Sequence, residues 1–132
     1  MKKFIIIFIL FLVISCSDSE RFVQFGLRNS TDKNIVVEYK QSDNKKIVYT
    51  IFPSNFALIY ATSLTDEMTE NDVFNFFLSK IDVFTTDVNS TFFIEKDSLS
   101  NLSRWGKNVS YDMGDEYILY IKGIKSDMFK KN

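Results

Sequence analysis

Ile35-Val36-Val37-Glu38-Tyr39-Lys40 places Ile35, Val37 and Tyr39 on one side of an extended chain and Val36, Glu38 and Lys40 on the other. Alternation with period two is the signature of a strand with one face buried and the other wet. The same reading extends to both sides. Phe22 to Leu27 is a strand ahead of it, separated by the polar turn Asn29 to Asn34, whose side chains can bond their own backbone. Gln41 to Lys46 turns the chain into Ile47 to Phe52, which Pro53 closes because it has no amide proton for a ladder. Phe56 to Ala61 follows, with Phe56, Leu58 and Tyr60 expected on one face. Strands this close together predict an antiparallel meander or sandwich rather than alternating helices and strands.

Further along, Thr62 to Asn71 is a polar loop carrying Asp66, Glu67 and Glu70. Thr69 with Asp72 three residues on is a helix-start signal, and Val73, Phe74, Phe76, Phe77 and Leu78 recur at helical spacing. A short helix is expected here, the alternative being an extension of the next strand, Lys80 to Thr86. Thr91 to Glu95 and Glu116 to Lys122 are further strands, the latter preceded by the turn Asp112-Met113-Gly114-Asp115. Asp97 to Trp105 is expected as a helical turn or loop. The predicted fold is mainly β: an antiparallel two-sheet β-sandwich of about six to eight strands with one short helix. It occupies 22–123 and is followed by a frayed tail, 124–132.

Composition narrows the function classes. At 132 residues the chain has room for one domain, and 45% apolar residues can build its core. Basic and acidic residues nearly balance, 16 against 17, so no basic field recruits nucleic acid. Without histidine, and with Cys16 as the lone cysteine, zinc sites and histidine-dependent catalysis find no ligands, and an internal disulfide cannot form.

The N-terminus reads as a processing signal. Lys2 and Lys3 precede an unbroken apolar run from Phe4 to Ile14, the pattern of a secretory signal peptide. As a helix the run measures roughly 17 Å, about half of a bilayer's roughly 30 Å hydrocarbon core. Val13-Ile14-Ser15-Cys16 resembles the lipobox of bacterial lipoproteins. That resemblance implies removal of residues 1–15 and lipidation of Cys16, by palmitate-type chains that would hold the protein to a membrane. Residues 16–21 then form a lipidated cysteine and acidic tether. Without Lys2 and Lys3 the basic residues fall to 14 against 17 acidic ones, a formal charge of −3. Ser17-Asp18-Ser19-Glu20 resembles the surface-export signal of Bacteroidetes lipoproteins, and serves equally as a solvated tether. The layout of strands, the late Trp105 after Ser-Leu-Ser-Asn-Leu-Ser and the Tyr-rich last strand resembles small uncharacterised lipoproteins of that group. An outer-membrane location, with or without surface exposure, is what the resemblance implies; it brings no activity with it.

Candidate chemistry is sparse. The sequence holds no glycine-rich phosphate loop, no Gly-x-Ser-x-Gly elbow and no calcium-loop spacing, so no catalytic residue, metal or cofactor is assigned. Asp112 and Asp115 at their turn, with Glu116, and the acidic loop around Glu70 read as solvated loops or as carboxylates able to bind. Trp105, between Arg104 and Gly106, is a candidate binding platform, with burial in the core as the favoured alternative. Asp97-Ser98-Leu99 is similar to the O-glycosylation motif of exported Bacteroidetes proteins, making Ser98 a candidate. The expected function is a noncatalytic binding module for an envelope protein or glycan; the alternative is a small carboxylate-dependent hydrolase.

Overall fold

The structure, a computed structural model, describes residues 19–87 and 90–131. Cys16 and the lipobox lie outside the described residues. Nine strands form two packed sheets with one α-helix between β4 and β5: β1 Arg21–Asn29, β2 Ile35–Ser42, β3 Lys45–Ile51, β4 Phe56–Ser63, α1 Glu70–Lys80, β5 Ile81–Asp87, β6 Ser90–Ile94, β7 Gly106–Asp112, β8 Asp115–Ile124 and β9 Phe129–Lys131. The first sheet has the order β4-β1-β8-β7 and the second β3-β2-β5-β6-β9. The β-sandwich is therefore as expected, with more strands among the described residues than the six to eight counted from alternation.

Its core is made by the alternation that the sequence displays. Val23, Phe25 and Leu27 of β1 and Ile118 and Ile124 of β8 meet Ile35 and Val37 of β2 and Ile81 and Val83 of β5, all nearly or fully buried. Helix α1 adds Val73, Phe74, Phe77 and Leu78 to the same core. Its start is fixed locally: the Thr69 side chain accepts from the Asp72 N–H while the Asp72 carboxylate accepts from Thr69, a capping box that satisfies two otherwise orphaned donors. Among these described residues no helix is long and apolar enough to cross a membrane.

Four expectations are corrected. The sheets are not purely antiparallel, since β1 and β8 run parallel from Arg21↔Glu116 to Asn29↔Ile124; alternation reports which face is buried and carries no information on strand direction. Gly106–Asp112, of which Asp112 is expected in a turn and the rest carries no assignment, is strand β7. As an edge strand exposed along its whole length, it lacks a buried face to imprint a pattern. Residues 124–131 are not a frayed tail: a 3-10 turn, Ser126–Met128, leads to β9, which pairs with β6. Fully buried Ile124 and the packing of Met128 and Phe129 against the core hold it there. Finally, β4 does not keep Phe56, Leu58 and Tyr60 on one face. Phe25 pairs with Tyr60 but Gly26 with Leu58, so Ile59 is an extra, bulged residue, and both Ile59 and Tyr60 turn inward. The Phe56 ring then lies over Gly26, where an added Cβ would stand 2.3 Å from it.

Two tight turns need unusual backbone. Met113 and Gly114, at φ 50° and 87°, make the two-residue hairpin turn between β7 and β8. Pro53 and Ser54, the latter at φ 66°, carry the chain from the second sheet to the first, with the Asn55 N–H donating to the Phe52 carbonyl at 3.0 Å.

Candidate functional site

A cleft of about 920 Å³ opens between the first sheet, the N-terminus of α1 and the loop before β7. Three segments distant in sequence supply its charged wall. Arg21 begins β1, Glu70 begins α1, and Lys107 and Tyr120 sit opposite each other on β7 and β8. Tyr120 donates its hydroxyl proton to Glu70 Oε2. Lys107 Nζ lies 3.1 Å from the same oxygen and 3.4 Å from Oε1, and Arg21 Nη2 approaches Oε1 at 3.5 Å. Arg21 Nε in turn donates to Glu116 at 3.0 Å.

This setting decides the charge of Glu70. Burial alone would raise its carboxyl, but hydrogen bonds from Tyr120 and Lys107 and the charges of Lys107 and Arg21 overcome it and hold the group below the ordinary glutamate value. The same contact with Glu70 is the main cause that raises the Lys107 ammonium. Tyr120 is raised first by burial and then by Glu70. All three therefore keep their usual neutral-pH forms: carboxylate, ammonium and phenol.

The loop before β7 lines the cleft with Ser100, Asn101, Leu102 and Ser103, none of them charged. Asn101 caps the 3-10 turn Leu102–Arg104, its side-chain oxygen accepting from the Ser103 N–H and hydroxyl at 3.1 and 2.6 Å. That turn delivers Trp105 inward. The indole is 5% exposed, its N–H donates to the Leu99 carbonyl at 2.9 Å, and its ring stands edge-on to Phe25, Phe74 and Phe77. The burial alternative for Trp105 is thus the correct one. A ring packed this way borders the cleft without offering a face on which a sugar could stack.

The other sequence-derived candidates lie elsewhere. Asp112 is exposed at the hairpin turn, and Asp115 accepts from the Glu20 N–H at 2.9 Å, so it closes the start of β1 rather than facing the cleft. Ser98 is exposed at the end of the 3-10 turn Lys96–Ser98, outside the cleft lining and accessible to modification. Within the acidic loop, Asp72 is spent on the helix cap and Glu70 on the ion-pair network. Among the described residues no group of three or more His, Cys, Asp or Glu side chains is placed to hold a metal ion.

Sequence reasoning flagged Glu70 only as one acid in a loop and passed over Arg21, Lys107 and Tyr120 as site residues. The alternating faces of Glu116 to Lys122 could have marked Tyr120 as inward-facing; nothing local joins the four. The chain matches no known protein family, no curated protein and no solved structure.

Proposed function

We propose that this chain is a lipid-anchored envelope protein of the outer membrane, noncatalytic, that binds a glycan carrying carboxylates in the Glu70–Lys107 cleft. The observation that carries the ligand class is that two cations, Arg21 and Lys107, line the cleft beside a single carboxylate. Glu70, the one carboxylate among the residues lining the cleft, already accepts from Tyr120 and Lys107 and forms an ion pair with Arg21. What is left facing the space is the remaining hydrogen-bonding capacity of Lys107 and Arg21, with the amides of Asn71 and Asn101. An acceptor-rich, anionic ligand complements such a wall.

The hydrolase alternative is less well supported. Carboxylate-dependent glycoside cleavage uses two carboxyl groups about 5 to 9.5 Å apart, whereas Glu70 is the one carboxylate lining the cleft and, held ionised at neutral pH, offers neither a proton donor nor a carboxyl partner there. The anchor reading rests on the lipobox-like run ending at Cys16.

Trp105, the sole tryptophan, reports on the cleft it borders. Tetragalacturonate should change its emission in a saturable way, and the fully methyl-esterified, uncharged tetrasaccharide should bind at least tenfold more weakly. Equal responses would remove the carboxylate from the proposal; no saturable response to either would remove the glycan. For the anchor, a fatty-acid analogue should label the wild-type chain and not Cys16→Ser, and equal labelling of both would contradict lipidation.

A further inference from the structure

Each sheet has two edge strands, and three of the four edges carry devices that discourage a further strand. Edge β3 places Lys45 and Lys46 side by side at its start. Edge β4 is broken by the bulge at Ile59. Edge β9 is three residues long and ends in Lys130 and Lys131. Charged residues, bulges and brevity are the ordinary means by which sheets avoid edge-to-edge pairing.

Edge β7 has neither the brevity nor a bulge, and its two charged residues, Lys107 and Asp112, stand near its ends and not at its centre. Its seven residues contain no proline, and its pairing with β8 runs without a register shift from Gly106↔Ile121 to Asp112↔Asp115. Its one lysine, Lys107, is turned onto Glu70. Both faces of the strand are exposed. On the inward side Val109 is 38% and Tyr111 72% exposed, which is unusual for apolar and aromatic groups on the side that elsewhere forms the core.

We propose that β7 is a homodimer interface, at which the β7 strands of two copies pair antiparallel about a two-fold axis through Val109. The sequence of β7, Gly-Lys-Asn-Val-Ser-Tyr-Asp, is complementary to itself in that register. Val109 meets Val109 of the second copy, Asn108 meets Ser110, and Lys107 meets Tyr111, a pairing of ammonium and ring. Gly106 meets Asp112, so no two like charges stand opposite. Centring the axis on Lys107 would oppose two lysines, and centring it on Asn108 or Ser110 would leave residues at one end without a counterpart. The Val109 register alone pairs all seven residues. It joins the two four-stranded sheets into one of eight strands and covers the exposed Val109 and Tyr111. It also stands Tyr111 of the second copy across from Lys107, beside the cleft. The pairing is independent of what the cleft binds.

The test uses the full chain in detergent. Sedimentation should give twice the chain mass for the wild type and the single mass for Val109→Lys, which sets two ammonium groups on the axis at a site already exposed, with an unchanged circular dichroism spectrum. Under mild oxidation Val109→Cys should form a disulfide-linked dimer well above the background set by Cys16 in the wild type, and Asn108→Cys and Ser110→Cys should not. A wild type that stays monomeric at its highest soluble concentration would overturn the proposal, as would a dimer that survives Val109→Lys. Cross-linking through Asn108→Cys or Ser110→Cys in preference to Val109→Cys would overturn the register. Capture of a strand from another protein by a monomeric wild type would likewise count against a second copy as the occupant.

Discussion

Strand β1 runs between two polar clusters that treat their hydrogen bonds in opposite ways. At its end lies Asn29, fully buried, with every bond of its amide taken up by this chain: the NH2 group donates to the Lys33 carbonyl at 2.6 Å and the Ile51 carbonyl at 2.8 Å, and the oxygen accepts from the Thr31 N–H and hydroxyl at 2.9 and 2.7 Å. At its start lies Arg21, half-exposed in a cleft lined by two cations, Arg21 and Lys107, and by one carboxylate, Glu70. A polar group removed from water must find partners, and at Asn29 all of them are internal. The cleft leaves its polar groups half-exposed. Internal saturation marks the end that holds the fold, and exposed charge marks the end at which binding is proposed.

Substitutions should separate the two ends by what each one changes. The largest effect is expected at Trp105, which belongs to the core while bordering the cleft. Trp105→Ala should cost about 3 to 5 kcal/mol in denaturant unfolding, through the cavity left against Phe25, Phe74 and Phe77. At the saturated end, Asn29→Ala removes the amide's bonds to the Ile51 carbonyl and the Thr31 N–H, while the Lys33 carbonyl keeps the Thr31 hydroxyl as a donor. It should cost about 2 to 3 kcal/mol, since each orphaned buried group carries a penalty of about 1 to 3 kcal/mol unless water reaches it.

Glu70 supplies a pH test of the open end. A carboxyl whose folded value lies below its unfolded one adds stability above the unfolded value, and that contribution is lost as pH falls through the folded value. The melting temperature of the wild type should therefore fall more steeply below about pH 4.5, the ordinary glutamate value, than that of Glu70→Gln. Parallel acid limbs for the two proteins would mean that the Tyr120, Lys107 and Arg21 contacts do not hold the charge. The smallest stability effect is expected for Lys107→Ala, within about 0.5 kcal/mol by thermal melting, because its ion pair is half-exposed and screened by solvent.

The legibility of these features follows the same division. Period-two alternation displayed β1 to β6 and β8 because one face of each is buried, and the Thr69–Asp72 cap with the apolar spacing after it displayed α1. Trp105 was readable as core because a domain without disulfides needs its largest apolar side chain inside. Strand β7 was not readable, since exposure on both faces erases the alternation, and β9 was hidden by its lysines. The cleft was the least legible part. Arg21, Glu70, Lys107 and Tyr120 are brought together by the parallel pairing of β1 with β8 and the docking of the α1 N-terminus. Both are tertiary facts with no local imprint. Asp112 and Asp115 looked like a site because they are close in sequence, yet one is solvated at a turn and the other secures the chain entering β1.

The most direct measurement is the tetragalacturonate titration followed at Trp105, carried out on Lys107→Ala and Asn29→Ala side by side. The account predicts that Lys107→Ala, with wild-type stability, weakens binding about tenfold, the factor that corresponds to roughly 1.4 kcal/mol for a lost charged contact, while Asn29→Ala, though less stable, binds as the wild type does below its melting range. Undiminished binding by Lys107→Ala, or weakening by Asn29→Ala alone, would contradict it.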